Sequence, residues 1–176
     1  MLLEKSSVRR LASAIALTGC LFTGVQALTL ADTLPGLTIF SGVERQNQLS
    51  FRLDYGKRDM WDRYRLRIPG NKLKAKAIQF NITYPDYYTG KFDRDSIEVR
   101  VNNKALPLQQ VTWDKENHSL QIYLKEPLEP GKSVELVLNN VKNPDFGGTY
   151  YFNASVLSLG DVPLPNYLGT WILSID

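Results

Sequence analysis

Apolar and polar residues alternate along most of this 176-residue chain, and that period of two restricts it to strands with one buried and one wet face. Leu49, Phe51 and Leu53 alternate with Ser50, Arg52 and Asp54. Tyr64, Leu66 and Ile68 alternate with Arg63, Arg65 and Arg67, and Ile78, Phe80, Ile82 and Tyr84 with Gln79, Asn81 and Thr83. The scheme returns at Ile97-Val99-Val101, Leu120-Ile122-Leu124, Val134-Leu136-Leu138, Tyr150-Phe152-Ala154-Val156 and Trp171-Leu173-Ile175. Turn formers separate these runs: Pro69-Gly70-Asn71, Pro85-Asp86, Asn102-Asn103, Asp114 to Asn117, Pro130-Gly131 and Gly147-Gly148. No segment holds apolar residues at helical spacing between caps, so no helix is expected. About eight to ten short strands with turns at this spacing predict an all-β sandwich. The stretch from Gly160 to Pro165 cannot be a central strand, because its prolines donate nothing to a ladder; it should cross an end of the sandwich.

The N-terminal segment carries the second constraint. Lys5, Arg9 and Arg10 precede an apolar run from Leu11 to Val25, followed by small-residue sites ending at Ala27 and Ala31. This pattern reads as a secretory signal peptide over residues 1–31, too short to span a bilayer well. Residues 32–176 then form a single β-sandwich domain without a transmembrane span. The expected location is extracytoplasmic, the periplasm first, with the thylakoid lumen or cell surface as alternatives. Leu17-Thr18-Gly19-Cys20 also fits a lipoprotein signal with lipidation at Cys20, but the apolar run continues where a polar tether is usual. Cys20 is the chain's one cysteine, so a chain cleaved after Ala31 relies on packing rather than disulfides.

Charge is unevenly spread. Residues 32–176 hold 18 basic against 17 acidic groups, yet Lys57 to Lys76 alone contains eight basic and two acidic. Such a basic segment can attract an anionic polymer or lipid surface.

Two resemblances follow from longer motifs. A strand at Ser96–Val101, then Trp113, Leu120–Leu124, Pro127-Leu128-Glu129-Pro130-Gly131, Val134–Leu138 and Asn143-Pro144 resemble, in order, bacterial immunoglobulin-like domains. Pro35 to Phe40, Tyr84 to Tyr88, Gly90 to Asp93, Trp113 to Asn117, Phe146 to Phe152 and Leu168 to Trp171 resemble a cyanobacterial family of small secreted proteins catalogued as a domain of unknown function. The resemblance implies an immunoglobulin-like sandwich of the envelope or lumen and brings no catalytic residues.

Catalysis finds little support. The one histidine, His118, ends a turn, no Gly-x-Ser-x-Gly elbow occurs, and zinc, copper or haem would lack ligands. Asp86, Asp93, Asp95, Asp145 and Asp161 could supply paired carboxylates, but turn aspartates ordinarily bond their own backbone. Asp93-x-Asp95 and Asp59-x-x-Asp62 offer oxygens to calcium without completing a recognised loop. The expectation is no enzyme, no cofactor and no metal.

Two features suit binding. Arg63, Arg65 and Arg67 project from one strand face at spacings of about 6.7 Å, and guanidinium forks fit carboxylate, sulfate and phosphate groups. Against this, cross-strand pairing with Glu98, Arg100 or Glu135 would leave an ordinary charged surface. The loop from Tyr84 to Phe92 concentrates aromatics beside Asp86 and Lys91, and Tyr87 and Tyr88 beyond Pro85 are expected to offer exposed rings for stacking. The plainer alternative has those rings covering the open end of the sandwich. Together these predict a non-catalytic envelope-binding or accessory module, reading an anionic polysaccharide or other envelope component through Tyr87, Tyr88, Asp86, Arg63, Arg65 and Arg67. Alternatives are an assembly factor for a membrane or surface-layer complex and, more distantly, a glycan-acting enzyme. Nucleic acid is not an expected partner.

Overall fold

The computed structural model describes residues 42–160 and 164–176. The expected signal peptide, its cleavage sites and Cys20 lie outside the described residues, as does the middle of the expected 160–165 crossing.

Ten strands form in chain order: β1 (Phe51–Leu53), β2 (Trp61–Ile68), β3 (Ala77–Thr83), β4 (Ile97–Val101), β5 (Lys104–Leu106), β6 (Leu108–Asp114), β7 (Ser119–Leu128), β8 (Val134–Lys142), β9 (Gly148–Ser158) and β10 (Asn166–Ile175). They build two five-stranded sheets, ordered β1-β2-β8-β4-β5 (sheet 1) and β10-β9-β3-β7-β6 (sheet 2). Strand neighbours within both sheets run antiparallel, giving an immunoglobulin-like β-sandwich. The helical turns among the described residues are three short 3-10 turns, Arg45–Asn47, Gly70–Lys72 and Arg94–Ser96. No helix among those residues is long and apolar enough to cross a membrane.

The alternation in the sequence becomes the core directly. In β2, Tyr64, Leu66 and Ile68 are buried while Arg63 and Arg67 face outward; across the sandwich Phe80, Ile82, Leu120, Ile122, Phe152 and Trp171 close the space. Burying side chains of this size contributes about 1.5–3 kcal/mol each, without disulfides.

Three details differ from the expected pattern. Ile78 was expected inside, but the register shifts between Ala77 and Gln79, so Ala77 takes the core place and Ile78 is half-buried. A bulge places an extra residue in one strand and reverses the alternation at that point. The run from Leu49 to Leu53 does not stay in one sheet. Leu49 N–H donates to Thr170 O of β10, whereas Ser50 O accepts from Arg67 N–H of β2, so the chain changes sheets between adjacent residues. Finally, β5 and most of β6 escape the alternation rule, because Gln109, Gln110 and Thr112 leave only a weak apolar stripe.

The register also fixes what each outer face presents. On sheet 1, one cross-strand row reads Arg52, Arg65, Val137, Glu98 and the next Arg67, Glu135, Arg100, Ala105. On sheet 2, successive rows read Thr170, Asn153, Thr83, Ser119, Asp114, then Tyr167, Ser155, Asn81, Gln121, Thr112, then Leu157, Gln79, Tyr123, Gln110.

Candidate functional site

Three connections meet at one end of the sandwich: residues 54–60, 84–96 and 143–147. Asp59 N–H donates to Pro144 O (2.9 Å), Asn143 N–H to Met60 O (2.9 Å), and Lys91 and Lys142 exchange backbone bonds at 2.9 Å. Thr89 Oγ1 donates to Asp145 Oδ1 (2.8 Å).

A buried carboxylate organises this end. Asp62 accepts from the backbone N–H groups of Asp54 (3.0 Å), Tyr55 (3.1 Å), Gly56 (2.7 Å) and Arg63 (2.7 Å), and from Asn143 Nδ2 (3.1 Å). An anion inside a fold persists when donors satisfy it, and this one closes the turn between β1 and β2. Asn143 also donates to Lys57 O (2.7 Å) and accepts from the Tyr64 hydroxyl (2.5 Å), which lies 3.1 Å from the Tyr88 hydroxyl. Burial pushes both phenols well above their ordinary range, so each stays a neutral donor. The chain Tyr88–Tyr64–Asn143–Asp62 thus ties the aromatic loop to the β1–β2 turn.

That tie corrects the expectation for Tyr88. The ring was expected in solvent; it is 4% exposed, stacked on Phe92 (5.5 Å) and edge-on to Phe152 (4.9 Å) and Tyr150 (5.2 Å). A tight turn, with Tyr88 N–H on Pro85 O (3.0 Å), reverses the chain after the proline and swings the side chain inward. Gly90 is part of the arrangement, since a Cβ there would come within 2.4 Å of the Tyr88 ring. Tyr84 and Phe92 are buried in the same cluster, so the rings largely cover the open end of the sandwich. Tyr87 remains 57% exposed, its hydroxyl 3.4 Å from Thr149 O, and Asp86 is exposed beside it.

The arginine stripe has the expected orientation but not the expected availability. Arg65 pairs with Asp54, Arg67 with Glu135 (3.0 Å), and Arg100 with Glu98 (2.8 Å). Pairing with Glu135 was the anticipated alternative; Asp54 was not foreseen, because it lies beyond the β1–β2 turn rather than straight across a strand. Arg63 alone of the three has no ion pair among the described residues. Arg67, Arg100 and Glu135 line a cleft of 490 Å³ that also takes in Asn102, Asn103 and Ser133.

His118, Asp62 and Asp93 meet partners inside the fold, and Asp161 lies outside the described residues. His118 packs edge-on against Tyr84 (5.7 Å) in a left-handed conformation (φ 49°) that completes the β6–β7 turn. Asp62, one of the two carboxylates in the Asp59-x-x-Asp62 spacing, accepts from five N–H groups of the fold. Asp93 caps the Arg94–Ser96 turn, accepting from Asp95 N–H (3.2 Å), Ser96 Oγ (2.7 Å) and Asn140 Nδ2 (3.1 Å); the Ser96 and Asn140 bonds hold its carboxyl below the usual range. No cluster of three or more metal-ligating side chains occurs among the described residues.

The structure adds a site that period-two reading passed over. A cleft of 560 Å³ is lined by Trp61, Lys91, Phe92, Asp93, Trp113 and Asn140. Trp61 opens β2 and is 62% exposed. Trp113 is half-buried, with its indole N–H on the Tyr84 hydroxyl (2.7 Å), Phe92 edge-on at 5.4 Å and the Lys115 ammonium 4.4 Å from its ring. Nearby loops expose Tyr55, Met60 and Phe146 as well. The signal available in the sequence was Met60-Trp61, two large apolar residues opening a strand whose other outward positions are arginines. Asp62 and Asn143 carried no comparable signal.

No curated protein matches the sequence. Among solved structures the chain is similar to the bacterial hydrophobin BslA, at 19% identity and TM-score 0.47 over 73% of this chain and 91% of that one. It is similar also to a Nocardia farcinica protein with an immunoglobulin-like fold (12%, TM-score 0.40, 73% and 97%). A third likeness is to the collagen-binding domain of a Staphylococcus aureus adhesin (11%, TM-score 0.40, 72% and 95%). Residues 37–175 match the family described as "Protein of unknown function (DUF2808)", and the chain belongs to that family.

Proposed function

We propose that the protein is a non-catalytic binding module of a cyanobacterial cell envelope, exported through residues 1–31 and working outside the cytoplasm, in the periplasm first. Its ligand is an envelope polysaccharide taken at the aromatic end. The observation that carries this reading is the cleft that sets Trp61 and Trp113 beside Lys91, Asp93 and Asn140. Indole faces stack on the C–H faces of sugar rings, while the Lys91 ammonium supplies hydrogen bonds that orient hydroxyls beside the Asn140–Asp93 pair. Of the six residues named from the sequence, Tyr87, Asp86 and Arg63 keep exposed side chains without an ion pair among the described residues, Tyr88 is buried, and Arg65 and Arg67 are held in surface ion pairs. A binding role fits better than hydrolysis because Asp93 is the one carboxylate among the lining residues, and its oxygens already accept three bonds.

The test is co-sedimentation of the purified protein with isolated envelope material, split into polysaccharide and membrane fractions, at low and high salt. Pelleting with polysaccharide, lost in Trp61→Ala while the melting temperature holds, is the expected result. Pelleting only with protein-containing membranes would replace the reading with an assembly factor. Protein left in the supernatant throughout would end it.

A further inference from the structure

The two outer faces of the sandwich differ in charge to a degree that folding does not require. In the two rows of sheet 1, six of eight outward positions are Arg or Glu. In the three rows of sheet 2, one of fourteen is charged: Asp114, at a corner. That carboxylate is occupied by Glu116 N–H (3.1 Å), Asn117 N–H (3.0 Å) and Asn117 Nδ2 (2.7 Å) of its own turn. Solvated faces ordinarily intersperse both signs of charge, which protects against unwanted association. Here a platform five strands wide, about 19 Å across at ordinary strand spacing, carries hydroxyls, amides and phenols instead.

These groups are ordered. Tyr123 donates to Gln121 (2.8 Å), Gln110 to Thr112 (3.0 Å), and Thr170 to Asn153 (2.6 Å), with the Tyr167 hydroxyl 2.6 Å from Thr170 Oγ1. At the centre of the middle row, on the central strand, sits Asn81. Its Oδ1 is the one buried side-chain polar atom among the described residues that lacks a hydrogen-bond partner. An orphan acceptor costs stability, and a donor brought from outside, meeting the amide as it turns outward, would remove that cost.

From this placement we infer that the outer face of sheet 2 is a second binding surface, and that its occupant is a neutral, hydroxyl-rich polysaccharide. A charged polymer would find in these rows only Asp114, already bonded within its own turn. An ordinary protein surface would have to desolvate its charges against groups that cannot pair with them. A second copy of this face avoids that penalty, but stable interfaces have apolar centres, and the middle row here is Ser155, Asn81 and Gln121. Neutral sugar hydroxyls match amides and hydroxyls bond for bond, and Tyr123 and Tyr167 offer rings for stacking. This surface is separate from the tryptophan cleft and does not depend on it.

The experiment measures retention of the purified protein on cellulose, curdlan and chitin, with carboxymethyl cellulose as the charged counterpart of the first. Expected is retention on at least one neutral polymer, unchanged between low and high salt and weaker on carboxymethyl cellulose. Gln121→Lys should lower it about tenfold. Asn153→Lys, at an exposed position, should do the same with an unchanged melting temperature, which guards against loss through misfolding. Arg52→Ala, at an exposed position on the outer face of sheet 1, should leave it intact. No retention on any neutral polymer would overturn the inference, as would binding that disappears with salt. Loss in Trp61→Ala but not in the lysine variants would overturn it too, returning the ligand to the cleft. A concentration-dependent dimer abolished by Gln121→Lys would assign the face to a second copy instead.

Discussion

The aromatic end and the arginine stripe share a strand, yet they are held by different physics. Trp61 and Asp62 open β2, and Arg63, Arg65 and Arg67 continue it. At the aromatic end, a buried carboxylate with five donors anchors a polar chain through Asn143 and Tyr64 to Tyr88. Along the stripe, two of three arginines meet single carboxylates at the surface, where an ion pair contributes about 0–1 kcal/mol. The first region can position side chains for a ligand because its groups cannot move independently. In the second, a ligand anion must compete with a partner already in place. Outward orientation and availability are therefore separate properties, and only the first follows from strand geometry.

Breaking the buried carboxylate should give one of the two largest effects. Asp62→Ala leaves N–H groups of the β1–β2 turn and one amide of Asn143 without an acceptor inside the protein. A loss of about 3 kcal/mol or more is expected from urea denaturation, since bonds to a buried charge contribute about 1.5–3 kcal/mol each and not all the donors regain water. A loss below about 1 kcal/mol would mean the turn opens to solvent without cost and that the contrast between the regions is false.

Two adjacent tyrosines sharpen the same contrast. Tyr88→Ala empties a ring-sized volume among Phe92, Phe152 and Tyr150 and should cost about 3–5 kcal/mol. Tyr87→Ala removes a mostly exposed ring and should cost under about 1 kcal/mol, while weakening any ligand of the aromatic end. Equal losses of stability from the two substitutions would contradict the inward turn after Pro85.

Trp61→Ala should leave stability within about 0.5 kcal/mol and lower affinity for the polysaccharide fraction by about tenfold or more, as expected for an exposed aromatic anchor. Isothermal titration or co-sedimentation against the Tyr87→Ala variant ranks the two rings.

What the sequence made legible follows from the range of each interaction. Strand faces are local: the alternation at Tyr64-Leu66-Ile68 and Phe80-Ile82 needed nothing beyond neighbouring residues to place them inside. The pairing of Arg67 with Glu135 was also within reach, because both belong to runs whose alternation marks which side faces solvent. Tyr88 was not, because its burial depends on a chain of bonds to Tyr64, 24 positions away, and from Tyr64 to Asn143, 79 positions from Tyr64, joined only by the fold. Asp62 looked like any turn aspartate, and Ile78 was misplaced by a bulge that leaves no compositional trace. The uncharged face of sheet 2 was spelled out strand by strand, at Gln79-Asn81-Thr83 and in the outward residues of β7 and β9. It becomes visible as a surface only when the register lays the strands side by side.

The smallest expected effect tests the stripe itself through pH. The Arg65 guanidinium bonded to Asp54, helped by the charges of Arg63 and Arg52, holds the Asp54 carboxyl below its ordinary range. A carboxyl depressed in the folded state adds stability that is fully present above its unfolded pKa of about 3.9 and is lost as pH falls through the folded value. Arg65→Ala should therefore be less stable than the parent by under about 1 kcal/mol at neutral pH, and that gap should narrow below about pH 4 as Asp54 protonates in both proteins. Added salt at neutral pH should narrow it as well, because the pair is partly open to solvent. A gap that stayed constant through the acid range would mean that the arginine's aliphatic stem, on the strand position paired in register with the buried Val137, stabilises the fold and that the ion pair contributes nothing. Arg65→Met, which keeps the stem and removes the charge, separates these outcomes: it should follow the alanine variant's pH profile if the pair matters and the parent's stability if the stem does.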